Sequence, residues 1–134
     1  MLLFKKRKDG GKFSPVDAYF VCEIKGLFSI AFLKFNKGGR EAFHTHAFDA
    51  LTWFLSGDLM EEDVNGDIYK YKRSLIPKFT SKSKNHRVQA AKDSWCFTLR
   101  GAWDKTWTEY NKEEDITTTF SHGRNIINKS RGVS

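Results

Sequence analysis

A chain of 134 residues has the length of a single domain and is long enough to bury a hydrophobic core. Apolar residues make up 40% and charged residues 29%, with only 2 Pro and 10 Gly, which excludes a disordered polar chain. No run approaches the ~20 apolar residues of a transmembrane helix, so a protein that spans the membrane in this way is excluded.

The excess positive charge lies at the two ends of the sequence. The net charge is +7, and residues 1–12 carry five basic side chains against Asp9, while residues 121–134 carry three and no acid. The remainder is balanced, so we interpret both ends as flexible, solvated segments, and nucleic acid is not an expected partner. A short apolar start followed by charge is the reverse of a secretory signal, which predicts a cytoplasmic protein.

Short segments rich in β-branched and aromatic residues follow one another along the chain and predict strands. Turns are predicted at 56–58 and 91–94 and a loop at 75–85, while Asn65-Gly66 predicts a tight hairpin because both positions of its turn need positive φ. No segment has the period of an amphipathic helix. The predicted strands cover residues 19–24, 27–35, 41–47, 50–55, 59–64, 67–73, 86–90, 95–100 and 103–110.

This regular succession of strands predicts a single all-β domain, either a sandwich or a barrel. The 15% of Phe, Trp and Tyr supplies the bulky inward side chains that a small jelly-roll barrel needs around its cavity. The predicted organisation is a basic N-terminal arm over 1–12, a β-barrel domain over 13–110 and a polar, basic C-terminal tail over 111–134. Exposed strand edges favour a homodimer.

Two of the four histidines are separated by a single residue. His44 and His46 lie on a predicted strand, where side chains at i and i+2 share a face, so both imidazoles can bind one metal ion. The alternative is a pair satisfied by neighbouring carbonyl groups. His122 lies in the polar tail and is predicted to be exposed.

The spacing around this pair resembles the first motif of the cupin superfamily. Gly38, His44, His46 and Gly57 stand at the motif's glycine and histidine positions, and Ala50 takes the place of its glutamate. The family's second motif supplies one later histidine, for which His86 is the candidate. The sequence also resembles small single-domain cupins of tailed phages, which would place the protein in the host cytoplasm.

The cupin resemblance, over about residues 16–110, implies a cupin-like jelly-roll β-barrel. It implies that His44, His46 and His86 form a three-histidine site for a divalent ion such as Fe, Zn, Ni or Mn. Asp49 is a weaker candidate for a fourth ligand, because strand parity points its side chain to the other face. The paired acids Glu61 and Glu62 are interpreted as part of a solvated acidic hairpin.

Two functions follow from this resemblance. The first is a metal-dependent enzyme, oxygenase-like with iron or isomerase-like with another metal, acting on a small anionic molecule; its general base is not identified. The second is a non-catalytic module that binds or sequesters a small ligand or nucleotide. The predicted ligand-binding residues are Phe43, Phe48 and Trp53 as pocket walls and Lys78, Lys84 and Arg87 as basic residues that attract an anion.

Overall fold

The computed structural model describes residues 2–10, 14–24, 26–39, 42–122 and 124–133. Within these ranges the regular structure consists of twelve strands, which pair antiparallel in one sheet. No helix in the described ranges is long and apolar enough to cross a membrane. The strands are β1 (Leu2–Lys8), β2 (Val16–Ile24), β3 (Phe28–Phe35), β4 (Gly38–Gly39), β5 (Phe43–His44), β6 (Ala50–Asp63), β7 (Ile68–Tyr71), β8 (Lys78–Thr80), β9 (His86–Arg100), β10 (Thr106–Asn111), β11 (Ile116–Ser121) and β12 (Asn125–Arg131).

The long strand β9 organises the sheet. Its second half pairs with β3, its whole length pairs with β6, and its first residues also pair with β4 and β5. On β9 the even-numbered side chains point inward, and Ala90 and Cys96 on this face pack in the core with Ala18, Phe20 and Leu59. Because β5 pairs with both β9 and β10, it connects the two halves of the sheet beside the start of β9.

Two strands run through segments that the sequence predicted as turns. Residues 56–58 lie inside β6, and residues 91–94 lie inside β9. The pairing of β6 with β9 shifts register beside Phe54, Ser56 and Asp58, so this stretch of β6 is bulged. A bulge accommodates turn-forming residues without reversing the chain direction, which explains why the composition there predicts a turn.

The hairpin predicted at Asn65-Gly66 is present, because β6 pairs with β7 across it, but the turn differs from the predicted one: Asn65 is not among the described residues with positive φ. Gly66 has a φ of +94°, and its backbone N–H donates to the carbonyl of Asp63 over 2.9 Å. The predicted loop over 75–85 differs from the structure in one respect, because it contains the short strand β8, which pairs with the first residues of β6.

The Gly57→Ala substitution is expected to destabilise the fold. Gly57 has a φ of +102°, and a Cβ at this position would clash with the side chain of Ser94 and lie 2.5 Å from Ser94 Cα. Backbone strain of this kind costs about 1–3 kcal/mol, and the clash adds to it. Gly66→Ala is the matched control, since Gly66 also has positive φ but no atom lies within 4 Å of the place that its Cβ would occupy. Urea unfolding should show the larger loss for Gly57→Ala; equal losses would contradict a steric role for the approach to Ser94.

Both basic ends contribute strands to the sheet instead of flexible segments. β1 pairs with β2, and β11 pairs with β10 and β12. The charge of β1 is compatible with pairing because β2 supplies carboxylates: Arg7 bonds Glu23 at 2.6 Å and Lys8 bonds Asp17 at 2.8 Å. Residues 11–13, where the arm was predicted to end and the barrel to begin, lie outside the described residues.

Candidate metal centre

The structure brings the three predicted histidines together. His44 on β5 is the register partner of His86, the first residue of β9, and His46 follows two residues after His44. One ring nitrogen from each histidine lies within 4.8 Å of the others. The ring centroids are 4.9, 5.0 and 5.1 Å apart, so the imidazoles form a nearly equilateral triangle.

The spacing of the donor atoms fits a divalent metal. His46 Nε2 and His86 Nε2 are 2.9 Å apart. With metal–nitrogen bonds of about 2.0–2.1 Å, two ligands at a right angle are separated by about 2.9 Å. Neutral imidazoles are ligands that Fe, Zn and Ni accept readily. The three histidines could therefore hold one ion on one face and leave its remaining coordination positions open.

A carboxylate that the sequence placed in a solvated hairpin lies directly behind His86. Glu61 is only 3% exposed, and its Oε2 lies 2.5 Å from Nδ1 of His86. When Nδ1–H donates to this carboxylate, the lone pair of Nε2 faces the other histidines, which is the tautomer that a metal requires. The prediction of a solvated Glu61 was wrong because its partners Lys78, Lys84 and His86 come from distant parts of the chain. The bulge in β6 turns Glu61 inward: Phe54 lines the cavity upstream of the bulge, and Leu59 and Glu61 line it downstream.

Oε1, the other carboxylate oxygen of Glu61, contacts three more hydrogen-bond donors. Lys78 Nζ, Lys84 Nζ at 2.8 Å and Tyr71 Oη at 3.2 Å all contact Oε1. Burial alone would raise the pKa of Glu61, but the hydrogen bonds from His86, Lys78 and Lys84 outweigh it and hold that pKa well below its usual range. Burial and the negative charge of Glu61 raise the pKa of Tyr71. Glu61 is thus ionised and Tyr71 protonated at neutral pH.

The histidines face a cavity of about 490 Å³ inside the sheet. A series of ring contacts leads away from His46, to Phe48 at 5.2 Å, then to Trp103 at 5.1 Å and on to Trp107 at 6.3 Å. His122 is exposed as predicted, yet it also lines the cavity and stacks on Trp103 at 5.7 Å. The cavity therefore joins a polar histidine centre to an aromatic region.

Three arginines that the sequence analysis did not single out also line the cavity. Arg100 is 3% exposed and shares the inward face of β9 with His86, a periodicity that could have identified it. The other two come from β1 and from the turn after β11, and only strand pairing brings them here. Each guanidinium is anchored by a carboxylate, in the pairs Arg7–Glu23, Arg100–Asp9 and Arg124–Glu109, at 2.6, 2.6 and 2.9 Å.

Of the three aromatic residues predicted to contact a ligand, the structure places one on the cavity wall. Phe48 lines the cavity. Phe43 is 1% exposed and packs against Tyr110 in the core. Trp53 lies on the opposite face of β6, against Phe97, because the even-numbered side chains of that half of the strand point inward. Phe54 therefore provides the wall that was predicted for Trp53.

Of the three basic residues predicted to attract an anion, the structure likewise places one on the cavity wall. Lys78 lines the cavity beside Glu61, whereas Lys84 bonds the same carboxylate and lies 3.6 Å from Asp63. Arg87 is bound to Glu62 at 2.7 Å, on the other face of β6. Asp49 lies outside the strands, between β5 and β6, where it is exposed, and its Oδ1 accepts the backbone N–H of Lys82 at 2.7 Å.

The Asp9–Arg100 ion pair predicts a specific loss of stability in acid. Burial raises the pKa of the Asp9 carboxyl, but the charge and hydrogen bonds of Arg100 outweigh it and lower that pKa below its ordinary 3.8. A lowered folded-state pKa means that the stabilisation is complete above the unfolded-state value and is lost as the pH falls through the folded-state value. We therefore expect the stability gap between the native protein and Asp9→Asn to shrink as the pH falls below 3.8.

Urea unfolding between about pH 3 and pH 7 measures this gap. Asp67→Asn is the control, because Asp67 is exposed at the surface. A gap for Asp9→Asn that does not change with pH would show that the carboxylate charge is not what stabilises this pair.

Comparison with known proteins shows similarity at the level of structure. No family model and no curated protein matches the sequence. A sugar phosphate isomerase from a cupin superfamily of Silicibacter pomeroyi aligns with a TM-score of 0.61 at 11% identity, over 98% of this chain and 92% of that one. An RmlC-like cupin from Shewanella frigidimarina aligns with a TM-score of 0.56 at 13% identity, over 73% and 83%.

A Klebsiella pneumoniae protein with a double-stranded β-helix domain aligns with a TM-score of 0.58 at 16% identity, over 79% of this chain and 90% of that one. The fold is a cupin-like jelly roll. Identities this low establish the fold alone, and the predicted cupin-like architecture is confirmed by them together with the all-β sheet. The three-histidine group lies inside this cupin-like fold, facing its cavity.

Proposed function

We propose that this protein is a metal-dependent enzyme that acts on a small anionic molecule at the centre formed by His44, His46 and His86. The observation that carries the proposal is the set of three imidazole nitrogens within 4.8 Å of one another, facing a cavity of about 490 Å³. Cavities of this size suit small molecules. The reaction is oxygenase-like if the metal is iron and isomerase-like if it is Zn, Ni or Mn.

The bound ion would supply Lewis-acid chemistry, or redox chemistry in the case of iron. The chain's own residues prepare the site for it. Glu61 keeps the proton of His86 on Nδ1, which leaves Nε2 available as a ligand atom. Phe48 and Trp103 form an apolar wall next to His46 and reduce the access of water to the reacting group.

The anionic character of the substrate is supported by the basic groups on the cavity wall. Arg7, Arg100, Arg124 and Lys78 line it. Arg7 and Arg100 each bind a protein carboxylate through both Nη atoms, and the N–H groups that remain on each guanidinium can donate to a carboxylate or phosphate of a ligand. The Silicibacter pomeroyi neighbour is described as a sugar phosphate isomerase. A phosphorylated sugar is one small anion of the class proposed here.

The second candidate function is a non-catalytic module that binds or sequesters a small ligand or nucleotide. It is favoured by the two carboxylates that line the described cavity, because Asp9 and Glu61 both accept hydrogen bonds from cationic side chains. A carboxylate held ionised in this way is a weak general base. We predict that a protein with this second function is encoded by a phage and is located in the cytoplasm of the host.

The two functions are distinguished by what happens to the ligand. Tag-free protein is purified anaerobically, its metals are quantified by mass spectrometry, and small molecules released by heating are identified. Each released molecule is then returned to metal-loaded protein in air. Conversion of the molecule supports the enzyme, and recovery of the unchanged molecule supports the module. Failure to bind any divalent metal would rule out the enzyme.

A further inference from the structure

The loop between β7 and β8 presents two adjacent aliphatic side chains to solvent. Leu75 is 89% exposed and Ile76 is 78% exposed. Among the Leu, Ile and Val side chains that the structure describes, these two are the most exposed. Single exposed aliphatic residues are common on protein surfaces, but a neighbouring pair with almost all of its apolar surface in water is unusual.

The backbone of the loop holds this pair in place. The N–H of Ser74 donates to the carbonyl of Phe54 over 2.9 Å, which fixes the loop beside the bulged stretch of β6. The N–H of Ile76 donates to Oγ of Ser74 over 3.1 Å, so the tip of the loop is a hydrogen-bonded turn. Leu75 and Ile76 therefore project from an ordered turn at the edge of the sheet.

Three basic residues precede the aliphatic pair in the chain. Lys70, Lys72 and Arg73 are exposed, and none of them is in an ion pair with any residue that the structure describes. The sequence contains no acidic residue between Asp67 and Asp93. We call residues 72–76 the basic loop, which Lys70 flanks on β7. It combines positive charge that no neighbouring carboxylate neutralises with exposed aliphatic surface.

These two properties together restrict the kind of partner. Positive charge attracts any polyanion, but a nucleic acid is bound through its phosphates and base edges, which offer little to two aliphatic side chains on a convex turn. The surface of an anionic bilayer fits both properties. Its headgroups carry phosphate, the boundary below them takes up aliphatic side chains, and long basic side chains remain at the level of the headgroups.

We propose that the basic loop binds the surface of an anionic lipid bilayer. Leu75 and Ile76 enter the boundary between headgroups and acyl chains, while Lys70, Lys72 and Arg73 contact the headgroup phosphates. Residues 72–76 do not line the cavity, so the bilayer contact does not use the three-histidine centre. The inference is therefore independent of the proposed function.

Co-sedimentation of the full chain with lipid vesicles tests the proposal. The native protein is expected to bind vesicles of phosphatidylcholine mixed with phosphatidylglycerol, and to bind pure phosphatidylcholine at least about 10-fold more weakly. Rising salt should weaken binding to the mixed vesicles, because it screens the headgroup charge. Leu75→Ser/Ile76→Ser should weaken that binding by about 10-fold or more, and Lys70→Gln/Lys72→Gln/Arg73→Gln by about 100-fold.

The matched control is Ile126→Ser/Ile127→Ser, which removes an adjacent aliphatic pair on β12 whose members are 57% and 56% exposed. It should leave vesicle binding unchanged, with circular dichroism confirming the fold of all variants. Native protein that stays in the supernatant with the mixed vesicles would overturn the proposal. So would binding that Leu75→Ser/Ile76→Ser leaves unchanged, since the loop would then attract polyanions, nucleic acids included, through charge alone. An equal loss in the control would place the contact on β12 and would also overturn it.

Discussion

The His44→Ala/His46→Ala variant is expected to lose the bound metal. Native, tag-free protein should retain about one equivalent of a divalent ion, because three imidazoles in this arrangement supply enough ligands to hold it. Removing two of them leaves His86 alone, and a single imidazole does not retain a metal through dialysis. Inductively coupled plasma mass spectrometry after dialysis measures the content of both proteins.

His122→Ala is the matched control for the double variant. His122 lines the same cavity but is not part of the three-histidine group, so its loss should leave the metal content unchanged. Iron in the native protein would make oxygenation the first activity to assay, whereas Zn, Ni or Mn would favour isomerisation. Equal metal content in the native protein and the double variant would show that the ion binds elsewhere.

Glu61→Gln is expected to weaken metal binding by about 10- to 100-fold, the usual effect of losing the partner that orients a histidine ligand. The substitution removes the negative charge next to Nδ1 of His86. The neutral amide can also turn its NH₂ group, a donor, toward Nδ1 where the carboxylate offered only an acceptor. The variant should also unfold more easily, since Lys78 and Lys84 lose the carboxylate that they share. Competition with a chromophoric chelator, well below the unfolding temperature, separates the two effects.

Glu62→Gln is the adjacent control, because Glu62 lies on the opposite face of β6 and pairs with Arg87 at 2.7 Å. It should leave the metal affinity unchanged. Nitrogen NMR of the metal-free native protein should find the proton of His86 on Nδ1. Unchanged affinity in Glu61→Gln, or a proton on Nε2 of His86 in the native protein, would contradict the orienting role of Glu61.

The fold and the histidine pair could be predicted because both depend on local geometry. Side chains at i and i+2 of an extended chain share a face, so His44 and His46 were expected to face the same way. The position of the Asn65-Gly66 hairpin was predictable for a similar reason, since Gly66 adopts positive φ without strain, but the predicted turn with positive φ at Asn65 as well was wrong. The choice of His86 as third ligand needed the family resemblance, because no local rule joins it to the pair.

Glu61 could not be predicted from the pattern of alternating residues. Parity is a reliable guide only while a strand is regular, and the bulge around Gly57 turns the inward face from even to odd numbers. Trp53 was misplaced for a related reason. In an aromatic-rich strand both faces look apolar, and only pairing with β9 shows that Trp53 packs against Phe97 on the outside.

The sequence by itself thus determined an all-β chain and the position of its tight hairpin, because both follow from the dihedral preferences and two-residue period of neighbouring residues. It also predicted that His44 and His46 lie together, although β5 ends at His44, so His46 lies outside the observed strand and not on the one predicted over 41–47. Only the tertiary structure decided that Glu61 hydrogen-bonds the side of His86 that faces away from the other two histidines. It also brought arginines from three elements to the wall of one cavity. It also decided that both charged ends form strands, since the pairing of β1 with β2 matches Arg7 and Lys8 to carboxylates. These arrangements depend on contacts between residues far apart in the chain. The local sequence pattern of a strand does not determine which distant strand pairs with it.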